Sequence, residues 1–192
     1  HRLAWSSCKI KTDFTDEKII IPRKSALELQ KLLNLYPENV NIAFNSNQLK
    51  VFSDEYTFIS KLIEGSYPDY EKVFPKGTEQ KLKANKSLVQ TALNRAAVLS
   101  NEKYRGVKFI LEKDNLKICA NNPSKESAEE EVLVEYSGDS FEIGFNISYV
   151  QESLSVISNN EVEFVFFGSE NSCLVKNIDD ESLIHVIMPM RL

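Results

Sequence analysis

Three stretches of this 192-residue chain share one order of predicted elements: a strand, a helix and then three further strands. Helical patterns are predicted in the three stretches over residues 26–33, 86–103 and 147–160. A serine lies next to the first residue of each pattern, at Ser25, Ser87 and Ser148. These serines are 62 and 61 residues apart (87 − 25 and 148 − 87). Periods of that length indicate duplicated supersecondary units, although serine is also a common helix cap, so the order of elements carries more weight than the register.

Alternating apolar residues predict the strands that surround these helices. They cover residues 18–21, 40–44, 48–54, 56–63, 81–85, 106–121, 131–137, 140–146, 161–168, 172–179 and 183–190. A unit of one helix and four strands leaves an apolar sheet face to bury, and two units can bury it by pairing their helices over one side. The predicted fold class is therefore α+β, with repeated strand-helix-strand-strand-strand units and paired helices on one side of antiparallel sheets.

The count of units predicts two domains of unequal completeness. Residues 79–192 contain two units, whereas residues 13–74 contain one, and residues 1–8 resemble the last strand of a preceding unit. The polar segment 73–80, with its proline and glycine, has the composition of a linker. We therefore expect an incomplete domain over residues 1–77, a complete domain over 78–192, and a chain that is a fragment of a longer protein.

Composition excludes several classes of protein. A content of 42% hydrophobic and 27% charged residues is ordinary for a globular protein, and no apolar run is long enough to span a bilayer. The first ten residues lack the layout of a secretory signal, so a cytosolic location is expected. The three cysteines, Cys8, Cys119 and Cys173, are widely spaced and outside any CxxC pattern. We expect them to be small buried side chains rather than disulfide partners or zinc ligands.

The net charge of −5 is unevenly distributed along the chain. In residues 23–33, three cations oppose Glu28, for a net charge of +2, and in residues 86–105 four cations oppose Glu102, for a net charge of +3. Acidic residues concentrate in the run ESAEEE at 126–131. Basic helices on an acidic chain fit either ordinary solvated faces or a positive surface that contacts phosphates without reading bases.

No catalytic constellation is visible in the sequence. The six glycines form neither GxGxxG nor GxxxxGK, and the two histidines, His1 and His185, stand outside every metal or nucleophile motif. His185 alternates with apolar neighbours, as a half-exposed strand residue does. We therefore predict a binding scaffold with no metal and no cofactor.

The chain ends in VIMPMRL, where its two methionines, Met188 and Met190, flank Pro189. Such an ending fits a last strand packed on the core. It also fits a peptide-binding rim, because methionine repacks readily against different partners.

Several segments together resemble one family. They are HRLA (1–4), SKLIEGSYPDYEKVFP (60–75), LSNEKYRGVKF (99–109), ANNP (120–123), EIGFNISYV (142–150) and VIMPMRL (186–192). In combination these motifs are similar to the beta subunits of bacterial DNA polymerase III, the sliding clamps. The resemblance covers essentially the whole chain.

The resemblance implies a DNA-clamp fold in which a head-to-tail homodimer of three-domain subunits closes into a ring around duplex DNA. Residues 1–77 would be the second half of the middle domain, and residues 78–192 the whole last domain. The replicative polymerase, the clamp loader and repair proteins would dock through short linear motifs that carry a glutamine and terminal leucine or phenylalanine side chains. The family is a non-catalytic part of a nucleotidyltransferase holoenzyme in the bacterial cytoplasm, with no membrane partner.

Carried over residue by residue, the family's peptide-binding groove falls on His1, Arg2, Leu3, Pro68, Lys72, Val73, Asn146, Tyr149, Ser172, Val186, Met188, Pro189, Met190 and Arg191. Its apolar wall would comprise Leu3, Pro68, Val73, Val186 and Met188. Polar orientation of the peptide would come from Asn146, Ser172 and Arg191.

Two further surfaces follow from the resemblance. The DNA-facing residues would be Arg23, Lys24, Lys31, Lys86 and Arg95. The dimer interface would contain Val98 and Leu99 and, from the acidic run that ends at Glu131, Glu126, Glu129 and Glu130. Two other classes remain open on the residues alone: a peptide-binding adaptor that never encircles DNA, and an enzyme of the replication machinery.

Overall fold

A computed structural model of the chain describes residues 1–10, 17–178 and 180–192. These residues form two units. The larger unit contains His1–Lys9 and Asp69–Leu192, and the smaller unit contains Ile10–Pro68. The beginning of the first predicted repeat, residues 13–16, and Asp179 of the predicted strand 172–179 lie outside the described residues.

The helices are α1 (Arg23–Leu35), α2 (Lys86–Val98) and α3 (Ile147–Val156), and a 3₁₀ segment covers Tyr70–Val73. The strands are β1 (Arg2–Ser6), β2 (Asn41–Phe44), β3 (Gln48–Phe52), β4 (Thr57–Lys61), β5 (Gln80–Asn85), β6 (Gly106–Glu112), β7 (Asn115–Asn121), β8 (Ser127–Leu133), β9 (Glu135–Tyr136), β10 (Phe141–Asn146), β11 (Glu161–Phe166), β12 (Cys173–Asn177) and β13 (Asp180–Ile187). The predicted order of elements is thus confirmed from the first helix onward.

The two repeats of the larger unit exchange their first strands. One antiparallel sheet has the order β1-β13-β12-β11-β5-β9, and the other has the order β10-β6-β7-β8. Strand β5 precedes α2 but pairs with β11 of the following repeat, while β10 precedes α3 and pairs with β6 of the preceding one. Each sheet therefore contains strands from both repeats, so neither repeat can complete a sheet alone.

One apolar core fills the larger unit between the two sheets and the helices α2 and α3. Phe109 on β6 lies at the centre of this core, with no exposed surface. Its ring is edge-on to Phe145 on β10 and Phe164 on β11, at centroid distances of 5.4 and 6.3 Å. Edge-to-face contacts of this kind add to the free energy of burial. Phe109 therefore joins side chains of both sheets.

Asparagines, rather than the serines of the sequence pattern, cap α2 and α3. The Asn85 carboxamide oxygen accepts hydrogen bonds from the backbone N–H groups of Ser87 and Leu88, at 3.0 and 3.2 Å. The Asn146 oxygen accepts one from Ser148 at 3.0 Å. The caps are 61 residues apart (146 − 85), so the period is kept. Each cap ends the exchanged strand and begins the helix, which satisfies otherwise unpaired helix donors.

In the smaller unit, α1 accompanies a three-stranded antiparallel sheet of order β2-β3-β4. Leu49 and Val51 on the central strand are buried. The predicted strand at 18–21 is wrong: one backbone hydrogen bond, from Ile63 N–H to the Ile20 carbonyl at 2.9 Å, joins this segment to the end of the sheet. Pro22, which follows, has no N–H group to extend such a ladder.

Three other local predictions are corrected. Helix α2 ends at Val98 rather than at residue 103, because the Asn101 side chain accepts hydrogen bonds from two following backbone N–H groups and forms a turn. The strand predicted from residue 131 begins at Ser127, so most of the acidic run is β-strand. Of the three cysteines, Cys173 is buried as expected, whereas Cys8 is exposed.

Truncation of Phe109 tests how far the larger unit depends on this shared core. We expect Phe109→Ala to lower the free energy of unfolding by about 3–5 kcal/mol, because it leaves a cavity where both sheets meet. Leu133→Ala removes an apolar side chain that is 83% exposed, and its effect should stay within about 0.5 kcal/mol. Denaturant unfolding followed by circular dichroism measures both. Equal effects would contradict the central position of Phe109.

Candidate functional site

The first and last strands of the chain lie side by side. Strand β1 pairs antiparallel with β13, with Arg2 opposite Ile187 and Leu3 opposite Val186. The pairing continues past the strand end, where the Met188 N–H donates to the His1 carbonyl at 3.0 Å. Residues more than 180 positions apart in sequence are thus neighbours (186 − 3 = 183). This pairing brings together five residues predicted for the groove: His1, Arg2, Leu3, Val186 and Met188.

The register also assigns these residues to two faces of the sheet. Ile187 belongs to the core on the helical side, and Arg2, which lies opposite it, shares that face. Leu3 and Val186 therefore lie on the other face, together with Leu174 of β12, which pairs with Val186. Sequence reasoning missed Leu174, because its contribution depends on the register between β12 and β13.

On the helical face, a cavity of about 360 Å³ separates β1 and β13 from α3. Arg2 places its guanidinium carbon 4.4 Å from the ring centroid of Tyr149 and forms an ion pair with Glu152. Both ionic side chains are largely solvated, so the contact with the aromatic ring orients Arg2 more than the ion pair stabilises it. Arg2 and Tyr149, both predicted for the groove, are in contact here.

His185 also lines this cavity. Its Nε2 atom is buried and has no hydrogen-bond partner among the described residues. Burial lowers the pKa of His185 below the ordinary imidazole value, because the charged form loses its hydration. The imidazole is therefore neutral near pH 7 and presents an unused polar atom inside the protein.

Beyond β13, the last residues cross the outer face of the sheet β10-β6-β7-β8. The Met190 N–H donates to the Gly144 carbonyl on β10 at 2.8 Å. Pro189, Met190 and Arg191 line a cavity of about 540 Å³ together with Glu170 and the ion-paired Lys108 and Glu142. Met188 is 36% exposed at the start of this segment. The two methionines thus lie where one sheet passes to the other.

The remaining groove residues are distributed more widely. Asn146 caps α3 and donates from its amide nitrogen to the Tyr104 carbonyl at 3.2 Å. Ser172 directly precedes β12. Lys72 and Val73 lie in the 3₁₀ segment, outside the cavity beside α3, and Lys72 forms an ion pair with Asp69 at 3.0 Å. Pro68 is the last residue of the smaller unit.

Three of the predicted DNA-facing residues belong to α1. Arg23 and Lys24 occupy the first turn of this helix, are exposed, and have no acidic residue beside them in that turn. Lys31, two turns later, forms an ion pair with Glu28 at 3.0 Å. The N-terminal end of α1 therefore carries the more available charge. Its N–H groups, which no described side chain caps, also favour an anion.

The other two predicted cations make contacts within the larger unit. The Lys86 ammonium donates to the carbonyl of Ile157, at the C-terminal end of α3, with an N–O distance of 2.7 Å. Arg95 binds Glu130 through two nitrogens, and its Nε lies 2.8 Å from Oε1. The hydrogen bond from Arg95 lowers the pKa of Glu130. Lys86 thus links α2 to the end of α3, and Arg95 links α2 to β8.

The residues predicted for a dimer interface surround the edge strand β8. Val98, at the end of α2, is 79% exposed, and Leu99 is half-buried. The Glu126 carboxylate accepts a hydrogen bond from the Asn122 side-chain amide, and the Glu129 carboxylate forms an ion pair with the Lys117 ammonium at 2.9 Å. Leu133 on β8 is as exposed as Val98, and no sequence pattern indicated it. Strand β8 has no partner on its outer side among the described residues, and exposed apolar side chains flank it. Such an edge is suited to pairing with another chain.

Within the described residues, no group of three or more histidine, cysteine, aspartate or glutamate side chains could hold a metal ion. No described helix is long and apolar enough to cross a membrane.

Comparison with known proteins gives the family. The family profile for the DNA polymerase III beta subunit, central domain, matches residues 1–69. The profile for its C-terminal domain matches residues 71–191. The beta sliding clamp of Pseudomonas aeruginosa is 43% identical over 193 residues, which is 100% of this chain and 53% of that protein. The beta sliding clamp of Escherichia coli is 39% identical over 192 residues, or 52% of its length.

Solved structures agree with these sequences. The DNA polymerase III subunit beta from Pseudomonas aeruginosa matches all of this chain with a TM-score of 0.97 and 43% identity, over 53% of that structure. Pol III beta from Caulobacter crescentus matches with a TM-score of 0.93 and 30% identity, over 52% of its chain. The chain therefore belongs to the DNA polymerase III beta subunit family, the beta sliding clamps. Its α+β fold is the clamp fold, and it spans about half the length of the relatives it matches.

The burial of His185 can be tested by titration. We expect the imidazole of His185 to titrate below pH 6.5, because burial opposes its charge, whereas the exposed His1 gives a second signal in the same spectrum. Proton NMR measures the midpoint, with His185→Gln to assign the signal. A midpoint at or above 6.5 would contradict the burial of Nε2.

The same shift makes stability depend on pH. The pKa of His185 is lower in the folded state than in the unfolded state, so this contribution is complete above 6.5 and declines as pH falls below it. The loss of stability from about pH 7.5 to about pH 5.5 should therefore be smaller in His185→Gln than in the unmodified chain. An equal loss in both proteins would contradict this reasoning.

Proposed function

We propose that the protein containing this chain is a sliding clamp, which holds the replicative polymerase on duplex DNA by encircling the DNA and docks partner proteins in a short-peptide groove. The observation that carries the proposal is family membership over the entire chain, at 43% identity to a beta sliding clamp. Residues 1–77 would form half of the middle domain, and residues 78–192 the last domain. The profile boundaries near residue 70 support a division in that region.

The groove is built around the pairing of β1 with β13. Leu3, Leu174 and Val186 lie in one cross-strand row, and Met188 follows at the strand end. Leucine or phenylalanine side chains of a partner would bind against this apolar row. Arg191, which is exposed beside the methionines, would hold a polar group of the peptide. The flexible methionine side chains would let one groove accept several partners.

Contact with DNA would be weak and independent of sequence. The exposed Arg23 and Lys24 are available for phosphate oxygens, whereas Lys86 and Arg95 are engaged within the fold. Contacts of this kind position a protein on DNA without reading bases, so a closed ring could slide. The acidic net charge is compatible with this, because it lies largely outside the helices.

A homodimer would close the ring through the edge strand β8. Its unpaired backbone and the exposed Val98 and Leu133 would meet a complementary edge of the partner subunit. The adaptor that never encircles DNA has no separate observation in its favour. We further propose that the protein is non-catalytic and acts in the cytoplasm, and that its polymerase, clamp loader and repair partners bind through linear motifs.

A peptide titration tests the groove. A labelled peptide with a glutamine and a terminal Leu-Phe pair should bind the chain, and Met188→Ala with Met190→Ala should weaken binding about tenfold or more, which is about 1.4 kcal/mol. Fluorescence anisotropy gives the dissociation constants. The matched control, Val98→Ala with Leu133→Ala, also truncates two exposed apolar side chains and should leave binding unchanged. Equal affinities for the methionine variant and the unmodified chain would rule out this groove.

A salt titration tests the DNA-facing end of α1. Reversing Arg23 and Lys24 to glutamate should weaken association with duplex DNA and reduce the slope of log K against log salt by about 2, since about one phosphate contact is lost per cation. Reversing Lys113 and Lys125, which are exposed in strand-connecting turns, changes the net charge equally. The DNA-facing assignment fails if both pairs of reversals alter the slope to the same extent.

A further inference from the structure

Two glycines lie in adjacent strands, at positions where a residue with a side chain would strengthen the sheet. Gly106 begins β6 and Gly144 is in β10, and the two strands are paired. Neither glycine has a positive φ angle, unlike Gly65, Gly77 and Gly168. Backbone conformation therefore does not require glycine at either position. A strand glycine without such a requirement marks a close approach by another part of the protein.

The C-terminal tail, residues 188–192, makes that approach. A Cβ atom on Gly144 would collide with the Met190 carbonyl oxygen and lie 2.9 Å from the Leu192 side chain. A Cβ atom on Gly106 would collide with Leu192 Cδ2 and lie 3.8 Å from the Met190 methyl carbon. Both glycines are on the outer face of the sheet, because their strand neighbours Val107, Ile143 and Phe145 face the core.

The two glycines differ in which tail atoms an added methyl group would displace. At Gly144 the nearest atom belongs to the tail backbone, which is also bound there by the hydrogen bond from Met190 N–H at 2.8 Å. At Gly106 the nearest atom is the end of a leucine side chain, which can rotate. An added methyl group at Gly144 would therefore displace the tail itself, whereas one at Gly106 would displace only Leu192.

We infer that Gly106 and Gly144 form a backbone seat for the C-terminal tail, and that this seat positions the methionines at the rim of the peptide groove. The two glycines are then positioning residues that contact no peptide. Met188 is held at one end by its hydrogen bond to His1, and Met190 at the other by Gly144. The second half of the inference rests on the proposed groove, and the first half stands without it.

Methionine NMR reads the seat directly. The chain has two methionines, both in the tail, so methyl labelling gives two assignable signals. Gly144→Ala should shift both signals. Gly106→Ala should shift mainly that of Met190, whose methyl carbon is within 3.8 Å of the added atom. Lys117→Ala, on the outer face of the same sheet but outside both cavities that the tail lines, is the control and should leave both in place. Unmoved signals in Gly144→Ala would overturn the inference.

Peptide affinity then tests whether the seat matters for binding. Gly144→Ala should weaken the Leu-Phe peptide about tenfold, through loss of a hydrogen bond and a displaced rim, and Gly106→Ala about twofold. Leu192→Ala should abolish the effect of Gly106→Ala, because it removes the atom that collides, but not that of Gly144→Ala, which meets backbone. Rescue of both variants, or of neither, would overturn the inference.

Two further experiments distinguish failure of the backbone seat from failure of the proposed groove. A chain that ends at Arg191 removes Leu192 without altering either strand, so it should move the Met190 signal even if Gly144→Ala fails to fold. Displaced methionine signals with unchanged peptide affinity would overturn the positioning role. An unmodified chain that binds no peptide would refute the proposed groove, and the methionine signals alone would then decide whether the seat exists.

Discussion

The exchange of first strands between the two repeats of the larger unit determines where its helices, its core and the end of its last strand lie. Because β5 pairs with β11 and β10 pairs with β6, the cap asparagines Asn85 and Asn146 lie at the points where the chain leaves one sheet to begin a helix. The exchange places α2 and α3 in contact, through a hydrogen bond of 2.8 Å between Gln151 and Asn94. It also forces one shared core around Phe109.

The same topology produces the candidate groove. In the sheet β1-β13-β12-β11-β5-β9, one edge of β13 pairs with β12 and the other edge pairs with β1. The tail that follows β13 then crosses to the other sheet at Gly144. The candidate groove would therefore be assembled from residues that are far apart in sequence and joined by backbone hydrogen bonds. Its methionine side chains would repack against different partners.

The sequence was sufficient for the repeats, the fold class and most strands, because these depend on local periodicity. It failed at residues 18–21, where an apolar run forms no strand with any of the residues that the structure describes. It could not show that Lys86 and Arg95 bind Ile157 and Glu130, since such contacts are set by tertiary packing. Leu174 and Leu133 were missed for the same reason: register and sheet order decide which strand residues are neighbours and which lie at an edge.

Topological linkage to DNA tests whether this chain is part of a clamp that encircles the duplex. The measurement uses the full-length protein that the gene encodes, loaded on a nicked circular duplex and washed at high salt, before and after the circle is cut once. A clamp should be retained on the intact circle and released on cutting, because only a closed ring is insensitive to salt yet free to slide off an end. Equal loss from circular and linear DNA would contradict this prediction.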